Sequence, residues 1–255
     1  MKAAVCFSGH LRSFLNTYQY LKPNIIDPMH CDVFIHTWDT LGGSSNRGKG
    51  DGDASSYKLD IDKIYQLVKP TSFSVESEET IKRFIDKTNH IMIPDNERCF
   101  IAGHIANHVS MFYSIYKANQ LKCEFEQLNN FKYDRVIRVR GDLRIAPIFN
   151  LNLFPDNDTL YVPIIGKYCE EGINDQIAVS NSNIMDQYCE IYTNIISYYQ
   201  NNIVIRRPEA ILHHHLISKG IKIQEIDIPY DVYRFDGSIL RQHRFGVEIL
   251  GARWR

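Results

Sequence analysis

The stretch that decides the fold is AAVCFSGHLRSF, residues Ala3–Phe14. It starts with a continuous apolar run of strand length, and the polar turn Ser8-Gly9-His10 follows. From Leu11 to Leu21 the apolar spacing becomes that of a helix, which we expect to end at Pro23. A buried strand that passes through a Ser-Gly turn into a helix is typical of the first unit of an α/β sheet.

The same alternation continues to about residue 145. Strands are predicted at 31–38, 71–75 and 133–140, and helices at 61–68, 80–86 and 104–128. Further along, we predict strands at 160–163 and 176–179, a helical stripe from 184 to 199, and a helix at 208–219 that begins at a proline and ends before a glycine. The last predicted strand is 221–226, because the chain beyond Pro229 is polar. The sequence contains no linker and no repeat. It therefore predicts a single α/β domain with a mostly parallel, Rossmann-like central sheet and helices on both faces.

Composition excludes several classes of protein. The 255 residues carry 29 basic and 30 acidic side chains, so a nucleic-acid binder with a basic face is not expected. No apolar run approaches the roughly 20 residues that span a bilayer, and the first residues lack the features of a secretion signal. Six cysteines at irregular spacings indicate reduced thiols rather than disulfides or a zinc site. We expect a cytoplasmic protein.

The turn after the first strand is the first candidate binding motif. Ligands of open α/β sheets bind outside the carboxyl ends of the strands. In Ser8-Gly9-His10-Leu11-Arg12, the glycine lets the backbone approach a ligand, and a helix start followed by an arginine suits a phosphate. The alternative is an ordinary strand-to-helix turn with a surface arginine. The spacing matches neither a P-loop nor a dinucleotide-binding turn.

The second candidate motif, His36-Thr37-Trp38-Asp39, ends the second predicted strand. Its indole could stack on a base or a sugar. Alternatively, Trp38 plugs the sheet edge and Asp39 caps the next turn. A glycine- and serine-rich loop, Leu41–Ser56, follows and has the length of a functional loop, which could close over a ligand.

The third motif, Arg138-Val139-Arg140-Gly141-Asp142, gives the strongest signal. Alternation along a strand places residues 138, 140 and 142 on one side. Two guanidiniums and a carboxylate are costly to bury unless they pair or hold a ligand. The motif therefore indicates either a structural ion-pair network or a site for a phosphorylated ligand, with Asp142 facing a divalent cation.

Four segments together resemble the nucleotide-sugar-dependent glycosyltransferases of the GT-A fold that occur in surface-polysaccharide gene sets and in some large viruses. The segments are AVCFSGHLRSF at 4–14, DVFIHTWD at 32–39, YDRVIRVRGDLRI at 133–145 and GINDQIAVSNSNIMDQY at 172–188. The resemblance runs from about residue 2 to about residue 235. It implies a nucleotide-binding half at 1–145, an acceptor-side half at 146–235 and a basic tail at 236–255.

The resemblance also implies roles for individual residues. The residues expected to bind the nucleotide sugar are Phe7, Ser8, Gly9, Arg12, His36, Thr37, Arg138, Arg140, Gly141 and Asp142, with His36 and Thr37 beside the base and ribose. GT-A enzymes hold Mn²⁺ or Mg²⁺ with an Asp-x-Asp motif, whose place is taken here by Arg140-Gly141-Asp142. Only Asp142 remains as a metal ligand, so Arg140 could supply the charge that a metal otherwise provides. A histidine among His213, His214 and His215 could add a ligand, although a helix surface is the other reading.

Asp175 is the residue that the resemblance places at the acceptor. There it would take the proton from the attacking hydroxyl group in an inverting transfer, or only orient the acceptor in a retaining one. It could instead cap a strand, in which case Glu171 and Glu209 are the next candidates for the base. The expected activity is transfer of a hexose or deoxyhexose from a nucleotide-diphosphate sugar to a glycan or lipid-linked glycan.

Other functions stay open beside this expectation. A nucleotidyltransferase or a non-catalytic nucleotide- or glycan-binding domain could use the same kind of sheet. The four arginines of the tail, at 241, 244, 253 and 255, could touch a membrane surface or form a solvated end.

Overall fold

The fold is described from a computed structural model over residues 1–42, 57–83, 98–145, 154–156, 158–167, 172–201, 207–235 and 237–241, with the backbone alone at 98–106. The strands are β1 (Ala3–Ser8), β2 (Asp32–Trp38), β3 (Ser72–Glu76), β4 (Arg135–Val139), β5 (Leu143–Ile145), β6 (Thr159–Pro163), β7 (Ile177–Ser180), β8 (Lys222–Ile226), β9 (Tyr230–Tyr233) and β10 (Ile239–Arg241). The helices are α1 (Phe14–Leu21), α2 (Asp27–Met29), α3 (Ile61–Val68), α4 (Arg98–Leu128), α5 (Ser182–Cys189), α6 (Ile191–Gln200) and α7 (Pro208–Ser218).

The central sheet has seven strands in the order β3-β2-β1-β4-β7-β6-β8. β7 runs antiparallel to both of its neighbours, and the other pairings are parallel. A second, antiparallel sheet joins β5, β9 and β10 in the order β10-β9-β5. Because β5 comes just after β4, the second sheet lies beside the end of the central strand.

Apolar side chains cover the central sheet on both faces, as the continuous apolar run of β1 predicts. All six residues of β1 are buried. One core cluster packs α1 and α3 against the sheet, and the other packs α4, α5, α6 and α7 against the opposite face. Each large apolar side chain so buried contributes about 1.5–3 kcal/mol relative to an exposed one. The predicted α/β fold with helices on both faces is confirmed.

Two local predictions are wrong. Pro23 does not end the helical path, because a π-helical segment, Lys22–Ile26, continues α1 and leads into α2. The wider turn accommodates a residue that has no N–H to donate. The 221–226 strand is also not the last one, since β9 and β10 follow Pro229. The sequence did not predict these two strands because a short strand in a polar segment resembles a loop.

Among the described residues, no helix combines the length and the apolar character that crossing a membrane requires. Cys6, Cys31, Cys123 and Cys189 are free thiols. The side chains of Cys99 and Cys169 lie outside the described residues.

A buried ion network joins α4, α5 and the start of β4 at the edge where β4 begins. Lys122 Nζ lies 2.7 Å from Asp186 Oδ1 and 3.3 Å from Glu126 Oε2. Lys132 Nζ lies 3.0 Å from a carboxylate oxygen of each of the same two acids. Glu126 also accepts the backbone N–H of Tyr133, which fixes the turn into β4.

We expect Lys122→Ala to destabilise the fold by about 3–5 kcal/mol, because it removes the buried cation that pairs with Glu126 and Asp186 and leaves only the half-exposed Lys132 beside them. Urea denaturation measures the change. Lys63→Ala, on the exposed face of α3, is the control and should change stability by less than about 0.5 kcal/mol. A Lys122 variant as stable as the control would show that this network does not hold the fold.

Candidate active site

The predicted motifs meet at one edge of the central sheet. β1, β2, β3 and β4 are parallel and end at this edge. β7 is antiparallel to β4, so it begins there. The turn before β7, which contains Asp175, therefore lies beside the turn after β4, which contains Asp142. The backbone N–H of Arg140 donates to the carbonyl of Gln176 at 3.1 Å and joins the two turns.

Asp142 is the centre of a charged cluster at this edge. Arg140 approaches its carboxylate side-on, with Nε 2.9 Å from Oδ1 and Nη2 2.5 Å from Oδ2. Arg12 Nη1 lies 3.5 Å from the same Oδ2. The Asp142 side chain is only 2% exposed, whereas those of Arg12 and Arg140 are 23% and 24% exposed. The two arginines therefore lie between the buried acid and the surface.

The protonation state of Asp142 follows from its surroundings. Burial acts to raise the pKa of its carboxyl group, but Arg140 and then Arg12 outweigh burial and hold that pKa below its ordinary value. Asp142 is thus ionised at neutral pH. Arg234, just after β9, acts on it in the same direction.

Asp175 lies next to this cluster in a different environment. Burial raises the pKa of its carboxyl group, and the charges of Arg138 and Arg140 oppose the rise only in part. Arg138 is buried and donates through Nη1 to the Asp175 backbone carbonyl. Within the described part of the chain, no side chain donates a hydrogen bond to the Asp175 carboxylate. A carboxylate with a raised pKa and no bound donor is suited to accept a proton.

Asn174 shapes the turn that presents Asp175. Its side-chain oxygen accepts the backbone N–H groups of Gln176 and Ile177 at 2.8 and 3.0 Å. Its amide nitrogen donates to the carbonyl of Ile165 and lies 2.5 Å from the hydroxyl of Tyr230. In this motif, Asn174 therefore fixes the turn, and Asp175 supplies the carboxylate that is available for chemistry.

The first and third motifs are in direct contact. A Cβ at Gly141 would lie 2.8 Å from Leu11 Cδ2 and 2.9 Å from Phe14 Cδ2. Thr17 donates its hydroxyl to the Gly141 carbonyl at 2.5 Å. Only glycine lets the β1–α1 turn approach the Arg140–Asp142 turn so closely, and this contact brings Arg12 to Asp142.

A series of polar contacts, most of them buried, lies beneath the β1–α1 turn. The N–H of Gly9 donates to Ser114 Oγ at 2.6 Å, and Ser114 Oγ lies 2.7 Å from His36 Nδ1. His36 Nε2 lies 3.3 Å from Glu76 Oε1, and Tyr113 donates to the other oxygen of Glu76. Because Nε2 faces a carboxylate, we assign the ring proton to Nε2 and the acceptor role to Nδ1.

This chain shows how several residues of the first two motifs are engaged in the fold. His36 and Thr37 are fully buried, and their expected place beside the base and ribose stays a prediction. The Gly9 N–H points inward to Ser114 rather than outward to a phosphate. Phe7 and Ser8 are buried as well. Of the first motif, Arg12 remains as a charged group that reaches the surface.

Trp38 and Asp39 both have partners within the fold. Trp38 is buried and stacks on Tyr113, with ring centroids 5.7 Å apart. Asp39 pairs with Lys58 at 2.7 Å. Neither side chain belongs to the charged cluster.

The residues around Asp142 do not make a fitting metal site. Both carboxylate oxygens already accept from guanidinium groups. Among the described residues, the group of three potential ligands that lie close together is Cys123, Glu126 and Asp186, in the lysine-containing network at the opposite edge.

Two of the three late histidines, His214 and His215, are engaged with Tyr198. Both ring nitrogens of His215 are engaged, with the Tyr198 hydroxyl at 2.7 Å and the Gln187 carbonyl at 2.8 Å. His214 packs edge-on against Tyr198. His215 is therefore a buried core residue rather than part of a helix surface.

Other predicted features fall partly or wholly outside the described residues. Most of the Leu41–Ser56 loop does so, as do Glu171 and residues 242–255 of the basic tail. Glu209 is described and buried, and its backbone carbonyl accepts the N–H of Ile173.

Sequence reasoning missed Ser114, Glu76 and Arg234. Ser114 and Glu76 lie on α4 and β3, far along the chain from the turn that they support, so no local motif contains them. The signal that could have been noticed is a serine within the apolar stripe of α4, between Phe112 and Ile115.

Comparison with known proteins concerns structure alone. No protein-family model matches the sequence, and no curated protein is similar to it. Core-mannan synthase A of Aspergillus fumigatus, in its Mn/GDP form, aligns with a TM-score of 0.52 and 10% identity over 90% of this chain and 74% of that chain. The corresponding values are 0.47, 8%, 90% and 70% for the mannosyltransferase Ktr4p of S. cerevisiae. They are 0.44, 11%, 88% and 45% for the glycosyltransferase GlyE of Streptococcus pneumoniae, of which this chain spans less than half. The chain has the GT-A-like fold of glycosyltransferases.

The buried imidazole makes stability depend on pH. Burial lowers the pKa of His36 to about 4, whereas the ordinary value is 6.5. Between these values only the unfolded chain takes up the proton, so the stability present above pH 6.5 is lost as the pH falls toward 4. Through this group we expect a loss of about 2 kcal/mol in unfolding free energy from pH 7 to pH 5, measured by urea denaturation.

His36→Gln removes the titrating ring and is the comparison variant. It should be less stable than the wild type at pH 7, but its further loss on acidification should be smaller by that amount. Equal losses in the two proteins would show that His36 does not titrate in this way.

Proposed function

We propose that this chain is a glycosyltransferase that moves a sugar from a nucleotide-diphosphate donor to a hydroxyl group of a glycan or lipid-linked glycan. The observation that carries the proposal is the pair of partly exposed arginines, Arg12 and Arg140, held together at the carboxyl edge of a GT-A-like sheet. This edge is where α/β sheets bind their ligands.

The charge of the cluster suits an anionic donor. Four guanidiniums (Arg12, Arg138, Arg140 and Arg234) act on two carboxylates (Asp142 and Asp175), which leaves a formal excess of two positive charges. A diphosphate would neutralise this excess. The same charges would stabilise the negative charge that grows on the β-phosphate as the nucleotide leaves, which is usually the largest contribution to catalysis.

The proposed chemistry assigns one proton transfer to Asp175. Its carboxylate takes the proton of the acceptor hydroxyl as the acceptor oxygen bonds to the anomeric carbon. The bond between that carbon and the β-phosphate oxygen breaks, and the nucleoside diphosphate departs with the electron pair. Arg12 and Arg140 bind the leaving diphosphate, while Arg138 fixes the Asp175 turn through its backbone carbonyl.

The finer features of the function are proposals with separate support. The Mn/GDP form of core-mannan synthase A favours a nucleoside diphosphate and a divalent metal ion, Mn²⁺ or Mg²⁺, for this chain as well. The residues around Asp142 support binding of a nucleoside diphosphate, but they do not support binding of a metal ion. A hexosyl or deoxyhexosyl donor, a cytoplasmic location and contact of the basic tail with a membrane surface remain predictions from the sequence.

A panel of nucleotides followed by thermal unfolding tests the proposal. We expect UDP, GDP or dTDP to raise the unfolding temperature, because a ligand that binds only the folded state stabilises it. Slow hydrolysis of the corresponding nucleotide sugar without acceptor should follow. Stabilisation by triphosphates alone would indicate a nucleotidyltransferase, and no response to any nucleotide would contradict nucleotide-dependent chemistry.

Asp175→Asn tests the proposed base. We expect transfer to fall by about 10²–10⁴-fold, because removal of a general base has effects of that size. The affinity for the donor, measured by calorimetry, should be close to that of the wild type, because Asp175 acts on the acceptor. Asp62→Asn, on the exposed first turn of α3, is the matched control and should retain activity. Near wild-type transfer by the Asp175 variant would remove the residue from the chemistry.

A further inference from the structure

We infer that this chain binds the diphosphate of its donor through Arg12 and Arg140 without a divalent metal ion, and that Asp142 is the anion that positions the two guanidiniums. The inference rests on the proposed function, since it concerns how the same site holds the same donor. It departs from the expectation that Asp142 binds a metal, and three features of the site support it.

The first feature is how the carboxylate of Asp142 is used. Oδ1 accepts from Arg140 Nε, and Oδ2 lies within reach of both Arg140 Nη2 and Arg12 Nη1. The side chain is 2% exposed. A metal ion at this carboxylate would displace the arginines and then lie beside their positive charges. Charge interactions are strongest where water is excluded. Replacing the arginines by a metal ion would lose their attraction to Asp142 and add repulsion between the ion and the arginines, so the replacement is unfavourable.

The second feature is the lack of further ligands. Mg²⁺ in nucleotide sites is usually held by one or two carboxylates together with substrate phosphates, and here the one nearby candidate, Asp142, already has both oxygens occupied by Arg140. Within the described ranges of the chain, Asp142 does not belong to any group of three His, Cys, Asp or Glu side chains that could hold an ion.

The third feature is the orientation of Arg140. A guanidinium has two edges that can form paired hydrogen bonds. The Nε–Nη2 edge of Arg140 is turned to Asp142. Among the described residues, no acceptor binds Nη1, and the side chain is 24% exposed. The Nη1–Nη2 edge can therefore bind a phosphate while Asp142 holds the other edge in place.

Together these features give Asp142 a positioning role. The acid is buried, and the two partly exposed guanidiniums are held on it. The arginines then supply, from the protein itself, the positive charge that a metal would bring to the diphosphate. Arg140 is more than a charge in this arrangement, because its planar fork must meet the acid and the phosphate at once.

The test measures binding of UDP, GDP and dTDP to the full chain by calorimetry, after metal removal, in EDTA and in excess MnCl₂ or MgCl₂. We expect the nucleotide that binds to do so in EDTA with an affinity within about fivefold of that with metal, a difference of about 1 kcal/mol. Binding that needs the metal, or tightens by more than about fivefold, would overturn the inference and leave the proposed function standing. No binding of any nucleotide in either condition would instead contradict the proposed function.

Arg140→Lys keeps a positive charge but cannot bind the acid and a phosphate at the same time. We expect nucleotide affinity in EDTA to fall by about tenfold or more, with no recovery on addition of MnCl₂. Arg83→Lys, an exposed arginine in the helical segment 78–83, is the matched control and should bind as the wild type does. Recovery of the Arg140 variant by the metal would overturn the inference.

Asp142→Asn and Asp142→Glu separate positioning from metal binding. With EDTA present, a metal ligand is irrelevant, so a change in affinity there reports on the arginines alone. We expect Asp142→Asn to weaken nucleotide binding in EDTA by about tenfold and Asp142→Glu, which keeps the carboxylate, to recover part of the loss. Unchanged or tighter binding by the Asn variant would overturn the positioning role. If the Asn variant does not fold, the Arg140→Lys comparison decides the matter.

Discussion

The site depends on the ion pair between Asp142 and Arg140. A carboxylate this deeply buried is stable only while its charge is matched, and Arg140 matches it with two parallel hydrogen bonds. The pairing also orders the turn after β4, on which the β1–α1 turn packs through Gly141. Arg12 thereby reaches the same acid from the other turn. One interaction thus links the central strand, the first helix and the two cations that face the surface.

Much of the fold could be predicted because its signals are local. The apolar runs of β1 and β2 and the periodicity of α3 and α4 mark elements that tertiary contacts do not override. The prediction that the helix ends at Pro23 failed because a proline is tolerated where the helical turn widens. Whether the turn widens is visible only in the packed structure. β5, β9 and β10 were missed because three short strands, distant in sequence, gain their character only by pairing with one another.

The site could be predicted only in part. The spacing of Arg138, Arg140 and Asp142 marked the right segment, although Arg140 and Asp142 lie in the turn after β4 and not along the strand. Asp175 was placed near them only by the resemblance. The surface exposure of each side chain could not be predicted. His36 was expected in a pocket, but the side chain turns inward to Ser114, a residue 78 positions away. A contact between two residues so far apart in the chain cannot be recognised from a single sequence. A pattern of charges within five residues can be recognised.

The reversed direction of β7 has a consequence for how such chains can diversify. Asp175 reaches this end of the sheet at the beginning of a strand, whereas Arg12 and Arg140 reach it just after the ends of strands. The connection that leads into Asp175 is therefore separate in sequence from the turns that carry the two arginines. Related chains that keep Arg12 and Arg140 for the donor can therefore differ in the segment that faces the acceptor.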